Sequence, residues 1–301
     1  MGICDGRVVV ITGAGRGLGR SHALAFAREG AKVVVNALGG APDGTGASTE
    51  PVHEVVEEIR AMGAEAIANT DDVSDFDAAA NIIASAVAEF GALDVVVNNA
   101  GILRDRMFAN ITADEWDAVI RVHLRGHFCV GRHAAAYWRD QSKAGAMVDA
   151  RLINTSSGAG LMGSVGQTAY AAAKAGIAAM TIVQAVELGR YGVTVNALAP
   201  SARTRLTEGV FVDMMKEVDS GFDAMHPDNI SPLVVWLGSA DSKDVTGRMF
   251  EIEGGALSVC DGWQHGTPIT KDRRWEPSEV GPAVRQLIEA APSPAPVYGA
   301  S

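Results

Sequence analysis

Tyr170 and Lys174 lie four residues apart in Tyr170-Ala171-Ala172-Ala173-Lys174, a spacing that puts a phenol and an ammonium on one face of a helix. That face can do acid–base chemistry. A phenol titrates near pH ~10 and is a poor proton donor or acceptor at neutrality, whereas a neighbouring cation favours the phenolate and moves it toward a useful range. Lys174 is placed to be that cation. Upstream, Arg151-Leu152-Ile153-Asn154-Thr155-Ser156-Ser157-Gly158 passes from an apolar, β-branched run into small residues, as at the end of a buried strand. A hydroxyl at Ser157 would hold a carbonyl oxygen for the phenol.

These groups need a scaffold, and the chain supplies one by alternation. Residues 7–12 read as a short buried strand and a helix follows at about 17–30. The join, Thr12-Gly13-Ala14-Gly15-Arg16-Gly17-Leu18-Gly19, has the spacing TGxxxGxG. Glycines there let the backbone turn tightly and let a pyrophosphate approach the helix N-terminus. Further strands are expected at 32–37, 64–69, 93–97, 149–155, 192–198 and 248–253. Helices are expected at about 50–62, 75–90, 112–140, 168–190 and 230–240, the third opening on a Thr112/Glu115 capping box. This order predicts an α/β, Rossmann-type doubly wound parallel sheet of about seven strands, with helices on both faces. Asp72-Val73 and Asn98-Asn99-Ala100-Gly101 end the third and fourth strands, where open α/β sheets place ligands.

After Pro200 the alternation stops, and residues 201–229 suit a lid over a pocket. Residues 1–260, lid included, are expected to form one catalytic domain. Residues 261–301 are rich in proline, with one amphipathic piece at about 280–290, and are expected to pack on the surface or on a neighbouring subunit.

Composition narrows the partners. With 48% hydrophobic and 20% charged residues the chain can bury a full core. A net charge of -11 argues against nucleic acid and anionic membrane, which reward positive surfaces, and favours a small molecule. Cys4, Cys129 and Cys260 are widely spaced without CxxC pairing, so neither a disulfide framework nor a metal site is suggested. No basic-then-apolar leader precedes the first strand and no apolar run reaches the ~18 residues of a membrane span, so a cytoplasmic protein is expected.

Taken together, Thr12 to Gly19, Asn98 to Gly101, Ser157 and Tyr170 to Lys174 resemble the short-chain dehydrogenase/reductase family over about residues 5–260. The resemblance implies strand order 3-2-1-4-5-6-7, NAD or NADP as cofactor, and hydride transfer between a carbonyl and a secondary alcohol, often in a homotetramer. It implies that Tyr170 is the general acid in reduction and base in oxidation, that Lys174 lowers its pKa and binds the nicotinamide ribose, and that Ser157 holds the substrate oxygen. It further implies cofactor contacts from Gly13, Arg16, Gly17, Leu18, Gly19, Asn36, Asp72, Val73, Asn99, Ala100, Gly101 and Pro200, besides Tyr170 and Lys174.

Two positions depart from the family pattern. His123 stands where a catalytic asparagine is common, either acting through its backbone carbonyl or joining the proton relay with its ring. Ala37 stands where NAD-preferring members offer an aspartate to the adenosine 2′-hydroxyl. Arg16 would suit a 2′-phosphate and Asn36 a ribose hydroxyl, so NAD and NADP both stay open. Val35-Asn36, Gly101-Ile102-Leu103-Arg104-Asp105-Arg106 and Val122-His123-Leu124-Arg125-Gly126 look like one branch of the family. That branch is the (3R)-hydroxyacyl-CoA dehydrogenase part of peroxisomal multifunctional enzyme type 2, with its bacterial single-domain relatives. It implies 3-hydroxyacyl-CoA or sterol-like substrates, with Arg104, Arg106, Arg203 and Arg205 in loops that could face a thioester's phosphates. A cofactor-binding regulator without turnover and an isomerase or epimerase on the same fold are the alternatives.

Overall fold

The computed structural model describes residues 2–41, 43–46, 48–208, 215–218, 220–260 and 262–299. Strand Val8–Thr12 (β1) is buried along its whole length because both faces of the sheet are covered. Val9 and Ile11 face one layer of helices, Gly17–Arg28 (α1), Glu50–Ala61 (α2) and Ser231–Gly238 (α8), through Phe26, Ile59 and Leu237. Val8 and Val10 face the other, Phe76–Phe90 (α3) and Gly126–Lys143 (α5), through Ile82, Val130 and Trp138. This is why the strand reads as an unbroken apolar run and not as an alternation. Each such side chain contributes roughly 1.5–3 kcal/mol by its removal from water.

The parallel strands Lys32–Asn36 (β2), Ala66–Asn69 (β3), Val95–Asn98 (β4), Ala150–Thr155 (β5), Val193–Ser201 (β6) and Met249–Glu253 (β7) complete the expected series. An eighth strand, Ala256–Cys260 (β8), pairs antiparallel with β7, so the order is β3-β2-β1-β4-β5-β6-β7-β8. The sequence reading missed it because Leu257 and Val259 are exposed and no buried face patterns the segment. The Gly254-Gly255 pair between β7 and β8 is the hairpin signal that was available.

The long helix expected at 112–140 divides. Ala113–Ile120 (α4) starts on the expected capping box, with Thr112 accepting from Glu115 N and Glu115 accepting from Thr112 N. Residues Arg121–Arg125 then form a π-helical turn before α5. Such a turn inserts one extra residue and re-aims the side chains within it. A short helix, Gly158–Met162 (α6), follows β5, and Thr168–Gly189 (α7) carries Tyr170 and Lys174. Contrary to the sequence reading, α7 is long and apolar enough by length and composition to cross a membrane. Its apolar character comes largely from alanines that let it lie against β6 and α6. The lid region keeps little regular structure before the 3-10 turn at Pro227–Asn229, and its residues 209–214 and 219 lie outside the described part. The last helix, Pro277–Ala290 (α9), has no buried residue.

Candidate active site

The cleft begins where β1 and β4 end side by side. Thr12 Oγ1 accepts from Asn99 N at 2.9 Å and Ala100 N at 3.1 Å, and Asn99 Nδ2 donates to Thr12 O at 2.9 Å. This lock brings the backbones so close that a Cβ on Gly13 would lie 2.8 Å from Ala100 Cα, and one on Gly19 would lie 2.6 Å from Asn99 Nδ2. Gly13 and Gly17 also have φ of +66° and +52°. The glycines are therefore demanded by space and by backbone angle, and they leave a bare floor of amides at the start of α1.

Above that floor lies a cavity of about 970 Å³. It is lined by every residue that the sequence reading assigned to the cofactor and by Ser157, Tyr170, Lys174 and His123. Asn36 is fully buried at its wall: Nδ2 donates to Asn69 Oδ1 at 2.7 Å and Asp71 O at 3.0 Å, while Oδ1 has no partner. A buried acceptor without a donor is costly unless a ligand satisfies it. Asp72 turns Oδ1 to Ser74 N and Ser74 Oγ, at 2.8 and 2.7 Å. The bare glycine floor and the orphan amide oxygen fit a dinucleotide carrying a ribose.

Ser157 caps α6, accepting from Ala159 N at 3.2 Å, and its side chain lies near enough to the Tyr170 phenol to favour its ionised form. Lys174 Nζ donates to Thr155 O at 2.6 Å and lies 5.5 Å from the centre of the Tyr170 ring. Ser156 Oγ donates to Lys174 O at 2.8 Å. Gly160 is a close approach of α6 to α7, since a Cβ there would lie 2.6 Å from Lys174 Cβ. One small residue thus lets the helix capped by Ser157 rest on the helix bearing the other two groups.

Burial acts on the two titrating groups in opposite directions, because it disfavours whichever form is charged. It raises the Tyr170 phenol, with the Ser157 side chain partly opposing and the Asp105 charge adding. It lowers the Lys174 ammonium to about 7. The net direction for the phenol is therefore upward, set first by desolvation.

His123 sits in the π turn, fully buried, with its ring against Gly101 where a Cβ would overlap it. The ring meets Tyr170 edge-on at 5.1 Å between centroids. Nε2 lies 2.7 Å from Ile102 O and 3.1 Å from Ile102 N, so its role depends on the tautomer, and Nδ1 is buried without a partner. Burial, then the Lys174 charge, lowers the imidazole to about 3, so the ring is neutral near pH 7 where it meets Tyr170. His123→Asn is therefore expected to keep kcat within about threefold, since a group that does not titrate near neutrality adds no acid–base gain. It should also flatten the acid limb of stability. A folded-state value of about 3 against an unfolded 6.5 means stability is lost as pH falls below 6.5, roughly 2 kcal/mol per such imidazole by pH 5. His22, also lowered to about 3 by burial, contributes with the same sign. Melting temperatures at pH 5 and 7, with turnover at pH 7, check both statements. A hundredfold loss of kcat would restore the ring to the relay.

Of the four loop arginines, three are engaged. Arg203 pairs with Asp223, Arg106 with Glu115 at 2.6 Å, and Arg104 Nε donates to Asp43 O at 3.0 Å. Arg205 lines the cavity near Arg16, whose charge lowers its pKa after burial does, and neither guanidinium has a hydrogen-bond or ion-pair partner among the described residues. Two residues at the site escaped the sequence reading as contributors in their own right. Thr12 was legible as the last residue of a strand before the glycines. Tyr298, which also lines the cavity, lies in the tail and no local pattern marks it.

A family model described as short chain dehydrogenase matches residues 7–211. The chain is 46% identical to the hydroxyacyl-CoA dehydrogenase ChsB1 of Mycobacterium tuberculosis, over 94% of this chain and 89% of that one. It is 43% identical to the peroxisomal multifunctional enzyme type 2 of Mus musculus, over 83% of this chain and 32% of that longer protein. A short chain dehydrogenase from Mycobacterium avium, known from a crystal structure, superposes with a TM-score of 0.91 at 60% identity, covering 100% of both chains.

Proposed function

This chain belongs to the short-chain dehydrogenase family, as an NAD(P)-dependent oxidoreductase of CH–OH groups, and we propose that its substrate is a 3-hydroxyacyl-CoA thioester. The observation that carries the site is the meeting of Ser157, Tyr170 and Lys174 beside the glycine floor in one cavity. When bound, the nicotinamide takes up or gives the hydride. In oxidation Ser157 Oγ holds the substrate oxygen and Tyr170 Oη takes its proton; in reduction Tyr170 returns that proton to the oxygen. Lys174, held on the Thr155 carbonyl, orients the phenol and offers Nζ to a ribose hydroxyl. The glycine turn, Asn36, Asp72-Val73, Asn99-Ala100-Gly101 and Pro200 hold the dinucleotide. Oxidation of 3-hydroxybutyryl-CoA, followed at 340 nm, tests the reading; a chain that binds NAD(P) yet turns over no 3-hydroxyacyl thioester would overturn it.

For the cofactor we read the adenosine end as open to NADP as well as NAD. Ala37 carries no carboxylate to repel a 2′-phosphate, and Arg16 lines the cavity unpaired among the described residues. Ala37→Asp is expected to lower kcat/KM for NADP⁺ by about tenfold or more while leaving NAD⁺ within about threefold, because like charges in contact cost several kcal/mol. Parallel assays with the two cofactors measure it. An unchanged ratio would place residue 37 away from the 2′ position. Ile182, Val183 and Val186 expose an apolar strip on α7, which supports a homo-oligomer as part of the same proposal.

A further inference from the structure

The chain's last described residues return to the cleft. Tyr298 N donates to Gly163 O at 3.2 Å and Tyr298 O accepts from Val165 N at 2.9 Å, forming a parallel bridge at Ser164. Val297 packs where Gly163 lacks a side chain; a Cβ there would lie 3.4 Å from Val297 Cγ1. The tail is thereby strapped to the loop that runs from α6 to α7, between Ser157 and Tyr170. The phenol of Tyr298 reaches further in: a Cβ on Gly158, the residue after Ser157, would lie 2.9 Å from its hydroxyl. Tyr298 lines the same cavity as Ser157, Ile252 and Leu257.

Charge tells which part of a substrate that wall would meet. Glu251 and Glu253 on β7 lie close enough for their charges to act on Tyr298, and both line the cavity. Carboxylates there repel the phosphates of a thioester's CoA group. The charged end of a substrate is thus repelled from the wall that holds Tyr298, and the alkyl end is left to face it.

Resting on the reading of Ser157 and Tyr170 given above, we propose that Tyr298 is a specificity-determining residue: its ring is the wall against which the alkyl substituent of the carbinol carbon packs, and it excludes bulky groups there. The hydroxyl proton and the hydride are handled elsewhere, so removing the ring alters which alcohol fits and leaves the chemistry in place.

The test compares full-length parent, Tyr298→Ala and Tyr298→Phe in oxidising 3-hydroxybutyryl-CoA and 3-hydroxy-3-phenylpropanoyl-CoA, with cofactor affinity and melting temperature measured alongside. In Tyr298→Ala the phenyl-to-methyl ratio of kcat/KM is expected to rise about tenfold or more, the scale on which a pocket discriminates by apolar bulk. Tyr298→Phe keeps the ring and should keep the parent's ratio. An unchanged ratio in the alanine variant overturns the proposal, as does an equal loss on both substrates, which would make Tyr298 a structural clamp only. A ratio that moves equally in the phenylalanine variant also overturns it, because the ring would not be the discriminating group. If the parent oxidises neither thioester, the functional reading itself falls and this inference with it.

Discussion

Tyr170→Phe is expected to bind NAD(P) as the parent does and to lose ~10² to 10⁴-fold in kcat, the range that one placed acid or base supplies. The residue is partly buried at the cavity wall, and desolvation raises its phenol, so at neutral pH the group is held in its protonated form. That form is ready to donate in carbonyl reduction. In alcohol oxidation the phenol must first ionise, so the parent's oxidation rate should rise with pH through the alkaline range while reduction stays flat or falls. Phenylalanine keeps the ring that packs edge-on against His123 and removes only the hydroxyl that Ser157 meets. Stability should change by about 1 kcal/mol or less, the net worth of one hydrogen bond. The experiment is turnover at 340 nm beside cofactor titration by fluorescence. A variant turning over at the parent's rate would remove the phenol from the reaction; one that lost cofactor binding as well would make Tyr170 a packing residue.

The sheet was legible because its strands are buried on both faces, and the alternation of short apolar runs with longer helical ones follows directly from that burial. Glycine spacing carried the turn after β1, and the four-residue spacing carried the shared face of Tyr170 and Lys174. What stayed hidden had no local pattern. The π turn at His123 is set by how the chain packs on Gly101 and Ile102, and nothing in Val122-His123-Leu124 demands an extra residue per turn. Arg151 reads only as a charged residue within the fifth strand, yet it is buried, with Nε donating to Ser239 O at 3.0 Å and Ser242 Oγ at 3.2 Å. Tyr298 reaches Gly158 from the far end of the chain, a contact that periodicity cannot register. The raised phenol of Tyr170 stayed hidden for a related reason: the spacing reveals the neighbouring cation, whereas the desolvation that raises the phenol comes from the whole fold.

Lys174→Met should separate activity from stability. The amine is buried, and burial lowers it from the unfolded value of 10.5 to about 7. Between those two values the unfolded chain binds a proton that the folded chain does not, so the parent's stability rises with pH across that window. Below pH 7 both states are protonated and the folded protein carries the whole burden of an enclosed charge, roughly 5 kcal/mol by that difference in pKa. Methionine fills similar space without the charge. Its installation leaves the Thr155 carbonyl without its donor, which costs about 1–3 kcal/mol. At pH 6 the relief exceeds that loss, so the variant should melt above the parent; toward pH 9 much of the relief is already enjoyed by the parent, and the advantage should vanish. Turnover meanwhile should fall about a hundredfold or more, because the phenol loses the group that orients it and the ribose loses its donor. Calorimetry at pH 6 and pH 9, with kcat at both, gives the answer. Equal destabilisation at the two pH values would mean that the amine is as well stabilised in its charged form when folded as when unfolded, and retained turnover would mean that the phenol works without it. The expected combination, higher melting and lost catalysis, is what a charge kept in the core for chemistry should leave behind when it is removed.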